Sequence, residues 1–182
     1  MRFLPSRIGK WIAYFIQEQR GVSAIEFALI APVMIAMLLG SIEINLLLTA
    51  DRKVTQTASA IADLVAQDDV ITDDEIDDIF LAASTILTPY SVDPLQMRIT
   101  SIKMDADGEV TVVWSEGHGI GGRAPGSTIS APSGILQPDT SIIMSEVSYD
   151  YDSVVGSFLN TSISLEDTFY LRPRRSAEVI GP

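Results

Sequence analysis

Apolar residues run almost without interruption over residues 27–48, FALIAPVMIAMLLGSIEINLLL, with Glu43 and Asn45 as the strongly polar breaks. A helix rises about 1.5 Å per residue, so about 20 such residues cross a bilayer's hydrocarbon core, and the run predicts a membrane-spanning helix. Pro32 lies inside it, where it cannot donate to the carbonyl of Ala28 and its ring crowds that turn, so a kink is expected there. Beyond Ala50 the pattern changes without a breaker. Val54, Ala58, Ile61, Ala62 and Val65 recur on one helical face, Asp51, Arg52, Lys53, Gln56 and Asp63 fall elsewhere, and no Gly or Pro intervenes between Gly40 and Gln67. One continuous helix is predicted to start in the membrane and end packed on a soluble domain.

A second, short helix is predicted after Thr72, which can cap it. Acids crowd its first turn, Ile76, Ile79, Phe80, Ala83 and Leu87 form its buried stripe, and Pro89 stops it. From Pro94 the period falls towards two. Residues 96–104 and 109–116 read as strands joined by Asp105-Ala106-Asp107-Gly108, whose Asp-Gly is a hairpin signal. Val110, Val112 and Trp114 share one face by alternation, which makes that face the expected cover for the helix stripe. Residues 140–151 and 162–171 read as two further strands, separated by a turn around Gly156. Tyr149, Tyr151, Phe169 and Tyr170 are expected to pack in the core. The fold class is therefore α+β: a long N-terminal transmembrane and amphipathic helix, a short second helix and a mainly antiparallel four-stranded sheet.

The charge distribution orients this architecture. The chain of 182 residues has a formal net charge of −12, which argues against nucleic acid as a partner. Arg2, Arg7, Lys10 and Arg20 precede the apolar run against Glu18 alone, while acids dominate beyond it. By the positive-inside rule the N-terminus stays in the cytoplasm and the acidic bulk is exported. The expected organisation is a cytoplasmic basic leader over residues 1–21, a transmembrane helix over 22–50 and an exported α+β domain over 51–182. Trp11, Ile12, Tyr14, Phe15 and Ile16 suit a short interfacial helix within the leader. Cysteine is absent, so neither disulfides nor a thiolate metal site contributes.

Glu26 is the feature that asks for an explanation. It lies five residues after Gly21, at the mouth of the apolar run. A charged side chain deep in a bilayer costs about 2.5–3.5 kcal/mol on insertion scales, so such a group is usually paired, close to the surface or functional. Two readings stand: a plain signal-anchored binding or scaffold domain, and a membrane subunit processed by a protease. Leu48-Thr49-Ala50 lacks the small residue that a signal peptidase site prefers. Glu43, nearer the far end, either snorkels to the surface or makes a buried subunit contact.

Other candidate chemistry is thin. The acids between Asp68 and Asp78, and the fragment Asp105-Ala-Asp-Gly-Glu109, lack the order of a calcium loop. The run from Gly117 to Gly122 lacks phosphate-loop spacing and reads as a flexible connection. His118 is the single histidine, so a hydrolase using it with Ser115 or Asp105 has no activating motif around it. No cofactor, metal or small-molecule substrate is implied, and no catalytic residue is assigned. Arg172, Arg174 and Arg175 form a basic patch with three readings: a partner for the acidic helix start, a lipid contact, or the end of the domain.

The stretch Gly21-Val-Ser-Ala-Ile-Glu26-Phe-Ala-Leu-Ile-Ala-Pro32 resembles the G-x-x-A-x-E-F-A-hydrophobic-x-x-P opening of the TadE-like minor pseudopilins of the tight-adherence (Flp-type) pilus, a branch of the type IV pilus and secretion systems. Glu43, the Ala-rich helix after Asp51-Arg52, Glu146-Val-Ser-Tyr-Asp-Tyr151 and Tyr170-Leu-Arg-Pro-Arg174 follow in matching order. Phe27 replaces the Tyr common after this Glu in major Flp pilins, and the chain is longer than those pilins, so the minor-subunit branch fits better. It lacks the D-x-S-x-S of the larger TadG-type relatives. The resemblance implies a pilin-like fold, no enzymatic activity of its own, and cleavage by a prepilin peptidase between Gly21 and Val22. It also implies that Glu26, residue five of the mature chain, pairs with another subunit's freed α-ammonium. The implied partners are that peptidase, other pilins and pseudopilins, the pilus assembly platform and the inner membrane, with a role in adhesion.

Overall fold

Helical periodicity gives way to strand periodicity near residue 90, and the structure follows that change. The computed structural model describes residues 20–153 and 162–182. The leader with Trp11, Ile12, Tyr14, Phe15 and Ile16, and the turn expected at Gly156, lie outside the described residues. The chain divides into two units, Met1–Ile44 and Asn45–Pro182.

Helix α1 (Arg20–Val65) runs through Pro32 as one continuous helix. In the first unit its apolar side chains are exposed on every side, Val33, Met34 and Ile35 in succession among them. A helix apolar all round is stable in lipid or a protein core, not in water. Among the described residues this is the one helix long and apolar enough to cross a membrane, which suggests a membrane anchor.

In the second unit α1 becomes one-sided. Ala50, Val54, Ala58, Ile61, Ala62 and Val65 are all buried, the stripe its periodicity predicts. Helix α2 (Asp73–Ser84) starts at Thr72 with a capping box: the Thr72 hydroxyl accepts from the Glu75 N–H while the Glu75 carboxylate accepts from the Thr72 N–H. Ile76, Phe80 and Ala83 are buried from α2, and Leu87 from the 3-10 turn Thr85–Leu87 that follows. A cis Thr88-Pro89 bond comes next.

Four strands form one antiparallel sheet: β1 (Leu95–Met104), β2 (Val110–His118), β3 (Ser141–Tyr151) and β4 (Ile163–Leu171), in the order β2-β1-β3-β4. The β1–β2 turn is a hairpin, with the Gly108 N–H donating to the Asp105 carbonyl and Gly108 at φ 88°. Asp105 uses its carboxylate on the N–H groups of Asp107 and Glu109, at 3.0 and 2.8 Å, so it shapes the turn. One sheet face packs Met97, Ile99, Ile143 and Val147 against the stripes of α1 and α2. Tyr149 and Tyr151 join that core and Phe169 packs on its margin, while Tyr170 packs on the opposite side.

The shared face expected for Val110, Val112 and Trp114 is corrected by a bulge. Ser101 pairs with Trp114 but Ile102 pairs with Val112, so Val113 is the extra residue and alternation inverts across it. Trp114 packs in the helix-side core, whereas Val110 and Val112 pack with Ile102, Ile142 and Leu136 in a second cluster. The chain after β2 covers that second cluster and β2's edge: the Val112 N–H donates to Ser127 and the Ile129 N–H to Val110.

The C-terminal segment closes the helix-side core. The Ile180 N–H donates to Asp69 and the Ile71 N–H to Ile180, both at 2.9 Å, and Val179 is fully buried. Trp114 Nε1 donates to the Val179 carbonyl at 2.8 Å, and Gly181 lies so close to the indole that a Cβ there would collide with it. Within the same core, Ser101 and Ser145 keep buried hydroxyls that lack partners among the described residues. An unmet buried hydroxyl costs about 1–3 kcal/mol. Ser145→Ala is therefore expected to leave stability unchanged or raise it by about 1 kcal/mol, read as the urea midpoint of the full chain in detergent. A clear loss of stability would mean that this hydroxyl is satisfied.

Candidate processing segment and charged cluster

The opening motif lies on α1 in the first unit. Gly21 has open space around it, with no atom within 4 Å of where a Cβ would stand, and Val22, Glu26 and Phe27 are exposed. Val22 and Glu26 are four residues apart, so they share a helix face about 6 Å apart along the axis. Pro32 continues the same helix, followed by Glu43, which is half-buried. The Gly21–Val22 bond, the Glu26 carboxylate and Pro32 thus sit on one exposed apolar helix.

In the second unit the charged side chains gather around Glu146 on β3. Cross-strand pairing sets Arg98 of β1 directly opposite it. Arg98 Nε donates to Glu146 Oε2 at 3.0 Å, and the Arg123 guanidinium holds both carboxylate oxygens, with Nη2 to Oε1 at 2.8 Å. Arg98 also donates to the Gly121 carbonyl at 3.4 Å. The cluster clamps the glycine-rich segment after β2 onto the sheet. Gly122 lies against the Ser115 carbonyl and Gly117 against that of Ile120, too close for any Cβ. The expected flexible connection is in fact a tightly packed one, and its glycines permit the close approach.

Burial pushes the Glu146 carboxyl up, but hydrogen bonds and charge from Arg123 and Arg98 outweigh it and hold the group below the usual glutamate range. A depressed folded-state pKa adds stability that is present above the unfolded value and lost as pH falls through the folded one. The stability gap between wild type and Glu146→Gln should accordingly narrow as pH drops below 4.5, the ordinary value. Urea midpoints measured across that range check this, and a constant gap would contradict it.

The hydrolase residues are not brought together. His118 ends β2 and meets the Phe80 ring at 6.0 Å between centroids. Ser115 is buried, donates to the Ile99 carbonyl at 3.0 Å and lies 2.9 Å from the Thr100 hydroxyl. Asp105 occupies the hairpin at the strands' other end. Among the described residues, no group of three or more His, Asp or Glu side chains is arranged to hold a metal. Of the basic patch, Arg174 pairs with Asp63 near the end of α1 and Arg172 donates to the Ile135 carbonyl at 3.2 Å. The Arg98 and Arg123 partners of Glu146 were missed from sequence, since they are 48 and 23 residues away from it.

No curated protein and no solved structure matches the chain. Residues 21–63, from the opening glycine to the domain-packed part of α1, match the protein family described as TadE-like protein.

Proposed function

We propose that the protein is a minor, pilin-like subunit for assembly of a tight-adherence type IV pilus. On this reading its N-terminus lies in the cytoplasm, α1 spans the inner membrane, and the α+β domain is exported. A prepilin peptidase cuts between Gly21 and Val22, and other pilins and the assembly platform are its partners. The observation that carries this reading is the position of the Gly21-to-Glu26 motif: it opens an anchor helix exposed on all sides, inside the family-matched segment.

The physical logic concerns two charges. Cutting the Gly21–Val22 bond frees an α-ammonium beside apolar side chains, and Glu26 is a carboxylate in the same setting. Either alone is costly in lipid. Set against each other between packed subunits they offset that cost, provided their geometry is good. Pairing thus favours assembled helices over dispersed ones.

Deleting the gene in its host and counting surface pili by electron microscopy tests the proposal. Piliation should fall and return when the full chain is supplied again. Unchanged piliation after deletion would remove the assembly role.

A further inference from the structure

The end of β3 and the turn before β1 border a hollow of about 520 Å³ within the second unit. Its lining combines buried aromatic side chains with exposed carboxylates. Tyr149 and Tyr151, 4% and 5% exposed, line it together with Tyr90. Tyr90 is held in place, its hydroxyl donating to the Leu46 carbonyl at 2.9 Å and its ring meeting that of Tyr151 edge-on at 6.1 Å. Asp93, Asp150 and Asp152, all exposed, border the same space. Asp93 accepts from the Ser91 hydroxyl at 3.1 Å. None of the three carboxylates pairs with a lysine or arginine among the described residues.

Two features of this lining call for a ligand. Tyr149 is more than nine-tenths buried, yet its hydroxyl makes no hydrogen bond to the described residues. A buried tyrosine hydroxyl ordinarily has a partner. Burial, and then the charge of Asp152, raises this phenol above its ordinary value, so it stays neutral beside that carboxylate. The lining is also chemically one-sided. Carboxylates only accept hydrogen bonds, and no described lysine, arginine or histidine lines the hollow, so the group that fits brings donors and positive charge.

The spread of the acids decides between cations. The described acids do not gather into a metal-holding group, so a point ion finds no converging ligands here. A guanidinium is broad, flat and weakly hydrated, spreads five N–H donors over several directions and packs against tyrosine rings. An ammonium concentrates its charge and holds its water more tightly. Free arginine adds a carboxylate of its own, which the three aspartates repel.

We infer that the hollow receives a guanidinium borne on a polypeptide: an arginine side chain of a neighbouring protein, with Asp150 and Asp152 as its charge partners and the Tyr149 hydroxyl as a further acceptor. The site depends on neither cleavage at Gly21 nor the Glu26 carboxylate.

The probe is N-acetyl-arginine amide, which carries the side chain without a free carboxylate. It is titrated into the full chain in nonionic detergent, with isotope-labelled tyrosine rings read by NMR. Tyr90, Tyr149 and Tyr151 should shift saturably while Tyr170, which packs in the other cluster, stays still. Tyr149→Phe should weaken binding about tenfold, the worth of one hydrogen bond to a charged group. Asp150→Asn combined with Asp152→Asn, both at exposed positions, should weaken it further. No shift at Tyr149, or an equal shift from the uncharged N-acetyl-citrulline amide, would overturn the inference. So would unchanged affinity in both variants, which would put the probe elsewhere. Equal binding of N-acetyl-lysine amide would overturn the guanidinium assignment, and tighter binding of free arginine would overturn the polypeptide source.

Discussion

Replacing Trp114 by alanine should cost the folded domain about 3–5 kcal/mol, the usual penalty for emptying a large buried aromatic site. Trp114 is only 5% exposed and sits where the helix-side core meets the C-terminal segment. Its loss opens a void against Gly181 and leaves the Val179 carbonyl without the indole N–H it accepts. The tail is held by further ties, the Lys103–Glu178 pair at 3.0 Å and the Ser141 hydroxyl donating to Ala177 at 2.7 Å, but both lie nearer the surface. Trp114→Phe keeps most of the apolar contact and loses the hydrogen bond, so a smaller cost of about 1 kcal/mol is expected. Urea unfolding of the full chain in detergent separates the two. Equal losses for both variants would show that the hydrogen bond, not packing, holds the tail.

Glu26→Gln is expected to leave membrane insertion and cleavage intact while abolishing most piliation. Glutamine nearly matches glutamate in size but carries no charge, so the partner's ammonium is left alone in lipid. Breaking a buried pair from one side costs about 3–5 kcal/mol. At about 1.4 kcal/mol per tenfold, that is roughly a hundredfold or more in subunit association. Carbonate extraction of membranes reads insertion, and pilus counts read assembly. Normal piliation with the glutamine variant would remove the pairing role while leaving the processing claim standing.

How far the sequence reveals this molecule depends on the range of the interactions. Elements governed by local periodicity were readable: the stripe from Val54 to Val65, the Thr72 cap, the Asp107-Gly108 hairpin and four antiparallel strands all appear within a few residues of expectation. The bulge at Val113 was not, because one extra residue inverts alternation with no local signal, and it moved Val110 and Val112 to the opposite face from Trp114. The C-terminal closure was hidden for a related reason. Its contacts, such as Ile180 with Asp69, join distant positions through backbone groups that every residue shares. The motif from Gly21 to Glu26 was legible as chemistry out of place in an apolar run, and the family match covers it. On the proposed reading its partners lie in other molecules, so neither periodicity nor a single chain's packing can display them.

The central claim, a pilus subunit matured by cleavage ahead of its anchor helix, is tested most directly by mass spectrometry of the N-terminus. The full chain is taken from the membrane fraction of cells that contain the prepilin peptidase. The predicted result is a chain beginning at Val22, with the uncut form accumulating when the peptidase is absent. A chain whose N-terminus still lies ahead of Gly21, with the peptidase present and active on another pilin, would contradict the account and leave a plain signal-anchored domain in its place.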